Sequence, residues 1–188
     1  MQITHETSIP TEEIEIFRQI YRDAFAPLEQ HSPLRQSMTD EEFREEMVHE
    51  SVLKLVAWDY AGNPAAILCM TNDVARIPWL NPRFYEIRFP EHYSERRIYF
   101  FGSLLVHPDR RGEHFLSVLL TEAVTAVASV AGIAAFDCCK FNAEVTMLPE
   151  IIASVGNEVC EFEPELVDYQ NFYVYVSTGL KAPKDLGK

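Results

Sequence analysis

Ile98 to Val106 is a continuous apolar run that ends on His107-Pro108-Asp109-Arg110-Arg111-Gly112 and then passes into helical spacing. A run with no polar alternation fits a central strand buried on both faces. Beyond it, Phe115, Leu116, Leu119, Leu120, Ala123, Val124 and Val127 recur on one side as far as Val130, with Gly132 as a stop. Ile133 to Cys139 is apolar again, so strand, helix and strand predict a right-handed crossover between parallel strands. A helix that starts this abruptly leaves unpaired N–H groups and about half a positive charge at its first turn. Those N–H groups, around Arg111 to Phe115, together with Arg110 and Arg111, suit a phosphate, and a pyrophosphate is the expected occupant. The same Arg-Arg-Gly triplet would also serve a plain surface turn with Gly112 at a positive φ.

The flanking elements are read from periodicity. Ile14, Phe17, Ile20, Tyr21, Ala24 and Phe25 make residues 12 to 26 an amphipathic helix, with Thr11 as N-cap and Pro27 as stop. A second helix begins at Thr39, whose hydroxyl can close a capping box with Glu42, and its outer face is acidic. Val52 to Trp58 and Ala65 to Thr71 read as an antiparallel hairpin around the loop Asp59 to Pro64. Residues 72 to 97, rich in proline and aromatics, form a connection longer than most, and such segments often carry function. Ala143 to Val155 is a helical region broken near Pro149, and Glu158 to Phe162 and Phe172 to Ser177 read as two last strands.

With 188 residues, 47% of them hydrophobic, one compact domain over residues 1–188 is expected. Lys plus Arg number 16 against 29 Asp plus Glu, a net charge of −13 that repels phosphate backbones and argues against nucleic acid. In so acidic a chain, two adjacent arginines at the turn are more informative than in a basic one. No stretch approaches about 18 uninterrupted apolar residues, and the N-terminal MQITHETSIPTEE lacks the regions of a signal peptide. A cytoplasmic protein without membrane contact is expected. Cys69, Cys138, Cys139 and Cys160 sit in apolar segments that read as strands, with no metal-binding spacing, so reduced core thiols are expected and no metal.

The turn resembles the signature of the GNAT superfamily of acyl-CoA-dependent N-acyltransferases, V-x-P-x-x-R-G-x-G-x-G/A. Val106, Pro108, Arg111 and Gly112 match it. The order of elements is similar over nearly the whole chain. The resemblance implies an α/β fold with a mixed, mostly antiparallel central sheet splayed at its long fourth strand and helices on both faces. It implies acetyl-CoA or another acyl-CoA as co-substrate, its pyrophosphate held at Arg110, Arg111, Gly112, Glu113, His114, Phe115 and Leu116. The thioester would lie along Leu104, Leu105 and Val106, with an oxyanion donor from the N–H near Leu105 or Val106. Asn142 occupies the place of a frequent cofactor-contacting Asn. His114 and Leu116 stand where the family has small residues, and Ile152, four residues before Gly156, stands where it often has a tyrosine acid.

The implied activity is N-acyl transfer to the amine of a small-molecule or amino-acid-like acceptor, by a monomer or a homodimer. The departures at His114, Leu116 and Ile152 keep a second reading open, a GNAT-fold ligand-binding or regulatory module without turnover. The long segment opens a third, an acyl-carrier-protein-dependent N-acyl synthase, with Arg76, Arg83, Arg88, Arg96 and Arg97 as cations for a carboxylate or a carrier-borne phosphopantetheine. Its aromatics suit either an apolar acceptor cleft or a satellite core. The strand offers no carboxylate or histidine as base; Asp73, Tyr99 and Ser103 are catalytic candidates, and Glu86 and Asp137 are acid or base candidates by position. Gly102 and Ser103 could form a bulge or simply a close-packing site.

Overall fold

The structure, a computed structural model, describes residues 1–161, 163–174 and 176. Its centre is a five-stranded sheet in the order β1-β2-β3-β4-β5: β1 Gln2–Glu6, β2 Leu53–Trp58, β3 Pro64–Thr71, β4 Ile98–Val106 and β5 Ile133–Ala135. The first three neighbouring pairs are antiparallel and β4–β5 is parallel, so the expected mixed, mostly antiparallel sheet is present. The strand β1 is an addition to the sequence reading. Its QITHE offers one aliphatic residue, and its place comes from pairing Gln2 through Glu6 with the edge of β2.

Helices cover both faces. On one, α1 Thr11–Phe25 and α2 Asp40–Val48 bury Phe17, Ile20, Phe43 and Met47 against Val56, Ile67 and Leu105. On the other, α5 Phe115–Ser129 buries Phe115, Leu119, Leu120, Ala123 and Val127 against Leu55, Leu68 and Phe101, joined by Ile152 and Val155 of α7 Leu148–Val159. Each such aliphatic or aromatic side chain contributes roughly 1.5–3 kcal/mol on burial, which is why the stripe read from residues 115–127 becomes the core. The capping box of α2 is complete, whereas at α1 Pro10 occupies the N-cap position without a side-chain hydrogen bond and Thr11 is the first helical residue. Pro27 tightens the chain after α1 into the 3-10 turn Ala26–Gln30.

The segment between β3 and β4 is ordered into a 3-10 turn, Val74–Arg76, and two short helices, α3 Pro82–Arg88 and α4 Pro90–Ser94. It closes a third cluster, with Leu80, Tyr85, Phe89 and Tyr93 packed against Val74, Ile77, Ile98 and Phe100. Of the two readings of its aromatics, the satellite core is the one formed.

Five further expectations are corrected. The strand β5 ends at Ala135, so Phe136 to Cys139 leave the sheet. The broken helical region is two helices, α6 Lys140–Glu144 and α7 Leu148–Val159, and the break falls at Met147, whose φ of 54° is left-handed, with Pro149 inside the first turn of α7. Glu158 and Val159 belong to α7, and Phe172, Tyr173, Val174 and Val176 carry no strand among the described residues; Phe162, Tyr175 and Ser177 lie outside those residues. All four cysteines are free, but only Cys69 lies in a strand. Gly132 acts differently from a helix stop: Ala131 takes the positive φ of 47°, and a Cβ on Gly132 would meet the Arg97 carbonyl oxygen at 2.8 Å.

Candidate functional site

The strand β5 pairs with β4 only at Ile98, Tyr99 and Phe100. From Phe101 onward β4 keeps β3 on one side and has an open edge on the other. The His107 N–H donates to the Ala65 carbonyl at 2.7 Å. Because an antiparallel ladder alternates, Leu105 and Ser103 also face β3, and the N–H groups of Leu104 and Val106 face the open edge. Of the two donors expected near Leu105 and Val106, Val106 is the one that faces the gap.

Beyond Val106 the turn Pro108–Arg110 is a 3-10 turn, and Gly112 has φ 88°, a conformation in which an L side chain is strained. The N–H groups of Asp109, Arg110, Arg111 and Glu113 are used within the turn, by His107 Nδ1 and by the carbonyls of His107, Pro108 and Arg110. Those of Gly112, His114, Phe115 and Leu116 donate to no protein acceptor among the described residues. The helix α5 has no side-chain cap and no acidic residue in its first turn. A group of uncommitted donors at the positive end of a 15-residue helix suits an anion.

The two arginines of the turn divide. Arg110 Nη2 donates to Asp59 Oδ2 at 2.7 Å, clamping the turn to the β2–β3 loop, and Arg110 Nη1 stands 3.5 Å from Glu113. Asp59 is held below its ordinary carboxylate value, first by the hydrogen bond its Oδ1 accepts from the Asn63 backbone N–H. Arg111 is exposed and has no side-chain partner among the described residues. His114 is exposed at the N-cap, whereas Leu116 packs its side chain against the α5 core cluster. Asn142 lies within α6, so it caps no helix; its carbonyl accepts from Thr146.

Of the two alternatives at Gly102 and Ser103, the bulge is the one formed: Ser103 pairs with Cys69 and Phe101 with Met70, which leaves Gly102 as the extra residue. Gly102 is exposed in the middle of the central strand. A Cβ there would meet only Glu46 Oε1 at 3.6 Å and the Cys69 carbonyl at 3.8 Å. Glu46 comes from α2 with its side chain 17% exposed, and its Oε2 pairs with Arg76 at 3.3 Å. Three residues on, Trp79 stands edge-on to Phe100 and donates to Asp137 Oδ1 at 3.4 Å. Burial raises the pKa of Asp137. Glu46 was hidden in the acidic face of α2; its one sequence signal is its place three residues after Phe43 and next to Met47, on the flank of the buried stripe.

The remaining candidates lie elsewhere. Asp73 pairs with Arg96 at 3.3 Å beside a cavity of about 160 Å³ lined also by Asn72, Tyr93 and Ile98. That is the far end of β4, roughly 26 Å from Val106 at about 3.3 Å per residue. Tyr99 packs against the α5 cluster, and Ser103 is buried. Each arginine of the long segment already has a carboxylate: Arg76 with Glu46, Arg83 with Glu86, Arg88 with Glu165, Arg96 with Asp73 and Arg97 with Glu95.

No family model matches the sequence, and no curated protein matches it. Solved structures do match the fold. A probable acetyltransferase superposes with a TM-score of 0.56 at 11% identity, over 95% of this chain and 100% of that one. The ribosomal-protein-S18-alanine N-acetyltransferase from Escherichia coli gives 0.55 at 12%, over 82% and 77%. An aminoglycoside acetyltransferase from an uncultured soil metagenomic sample, in complex with trehalose, gives 0.54 at 11%, over 92% and 95%.

Proposed function

We propose that this chain, whose fold is that of the GNAT acyltransferases, moves an acyl group, acetyl in the first instance, from acyl-CoA to the amine of a small-molecule or amino-acid-like acceptor. The observation that carries the reading is the set of uncommitted N–H groups at Gly112, His114, Phe115 and Leu116, at the end of a strand whose edge is open. Those donors and the free Arg111 would hold the pyrophosphate. The Leu104 and Val106 N–H groups would bind the thioester arm, and Val106 is placed to stabilise developing charge on its carbonyl oxygen. Arg110 supports the turn through Asp59. Residues 1–188 act as one domain in this proposal, in the cytoplasm, with no nucleic-acid partner at a net charge of −13. No helix among the described residues is long and apolar enough to cross a membrane. Exposed Val167, Tyr169, Phe172 and Tyr173 support a homodimer through the C-terminal segment.

Thermal-shift titration with acetyl-CoA and longer acyl-CoAs tests the reading, since a ligand at about 100 times its Kd stabilises the native state by about 2.7 kcal/mol. A rise in Tm is expected, and no shift with any acyl-CoA would sink the proposal. One observation favours a second reading, a binding module without turnover: Ile152, at the position of the family's tyrosine acid, is buried in the core at 3% exposure. Thiol release with an amine panel separates the two, because a module binds without releasing thiol.

A further inference from the structure

We infer that Glu46 is the group that receives the acceptor's ammonium and takes its proton, above the open floor at Gly102; this rests on the acyltransferase reading. A central strand covered on both faces ordinarily exposes nothing in its middle, yet Gly102 is exposed. The bulge and the missing side chain open a gap on the α1–α2 face, next to the edge where β5 stops pairing. The carboxylate nearest that gap is Glu46. Its Oε2 is oriented by Arg76, while Oε1 has no hydrogen-bond donor among the described residues and faces the Gly102 position. Lys54, buried under the same helix, donates to the carbonyls of Thr7 and His49 and lies within electrostatic reach of Glu46 and Arg76.

An alkylammonium has no lone pair with which to attack, so one proton must leave it first. Glu46 accepts that proton, the freed lone pair forms the C–N bond, and the C–S bond breaks with its electron pair leaving on sulfur. The second nitrogen proton goes to the thiolate, and Glu46 returns its own to water. The net change is ammonium plus thioester to amide, thiol and one proton. Leu104 and Val106, two and four residues beyond Gly102, place the thioester within roughly 7–13 Å along the same strand.

Two probes separate this role from a structural one. Phenethylamine is an ammonium at neutral pH and needs a base, whereas hydroxylamine is already a neutral nucleophile there. Glu46→Gln should lower kcat/KM for phenethylamine by about 10²-fold, the lower end of general-base effects, and leave hydroxylamine turnover and the acetyl-CoA thermal shift unchanged. Gly102→Val, which fills the floor, should raise the KM of phenethylamine and also leave that shift intact. Equal loss with both probes, loss with neither, or an acetyl-CoA shift without wild-type turnover of phenethylamine would each overturn the assignment. Absence of any acyl-CoA shift in the wild type would instead remove the acyltransferase reading beneath it.

Discussion

The N-termini of α2 and α5 meet the same physical problem and resolve it in opposite ways. Both helices begin with N–H groups that have no intrahelical partner. At α2 the Thr39 hydroxyl accepts from the Glu42 N–H at 3.3 Å, the Glu42 carboxylate accepts from the Thr39 N–H at 2.7 Å, and Asp40, Glu41 and Glu42 place negative charge at the positive end. At α5 there is no side-chain cap and no acid in the first turn, and Arg111 adds positive charge beside four uncommitted donors. The first end closes a reciprocal pair of bonds within the chain and sets its own acids against the positive end. The second leaves stabilisation on the table unless an anion arrives, which is what separates a structural helix start from a binding one.

Arg111→Ala should have the largest effect and should act on the α5 end alone. Loss of a charge-assisted contact of about 1.5–3 kcal/mol weakens acetyl-CoA binding by roughly 10- to 100-fold in calorimetry, with unfolding stability within about 0.5 kcal/mol of wild type. Thr39→Ala should do the reverse, costing about 1 kcal/mol in urea unfolding with acetyl-CoA affinity unchanged. His114→Asp would give α5 the kind of cap that α2 has. It should raise stability by about 0.5 kcal/mol and weaken acetyl-CoA binding, and a rise in both would break the comparison.

The smallest effect is in pH. Arg35 first, and then the Thr39 N–H, hold Glu42 down from its ordinary 4.5 to about 2. A carboxyl depressed in the folded state contributes stability above its unfolded pKa, so this contribution should be complete above pH 4.5 and disappear as the pH falls through about 2. In Arg35→Ala, which removes the largest of those causes, the loss over that window should be shallower, as read from urea midpoints.

Legibility in the sequence followed the physics of each segment. The α5 stripe, the β2–β3 hairpin and the capping box of α2 were readable because periodicity and turn residues act locally, and the Gly102 bulge was legible only as one of two alternatives. The strand β1 was not, since Gln2–Glu6 is held by backbone pairing to β2 and has little apolar pattern of its own. The run Phe172–Val176 misled in the other direction: aromatic and β-branched residues suit a strand, yet Tyr173 is 73% and Val174 88% exposed. At the site, the turn was legible as a motif, but the division between Arg110 and Arg111 depends on Asp59, 51 residues away. Glu46 and Gly102 are likewise brought together only by the packing of α2 over β4.

The central claim is that the uncommitted donors of the α5 end bind the acyl-CoA pyrophosphate, and amide NMR of the ¹⁵N-labelled protein during an acetyl-CoA titration tests it most directly. Saturable shifts at Gly112, His114, Phe115 and Leu116, with Leu104 and Val106 following and Thr39 and Glu42 unmoved, are the predicted result. Shifts that leave the turn untouched, or that gather at α2 or around Asp73 and Arg96, would contradict it.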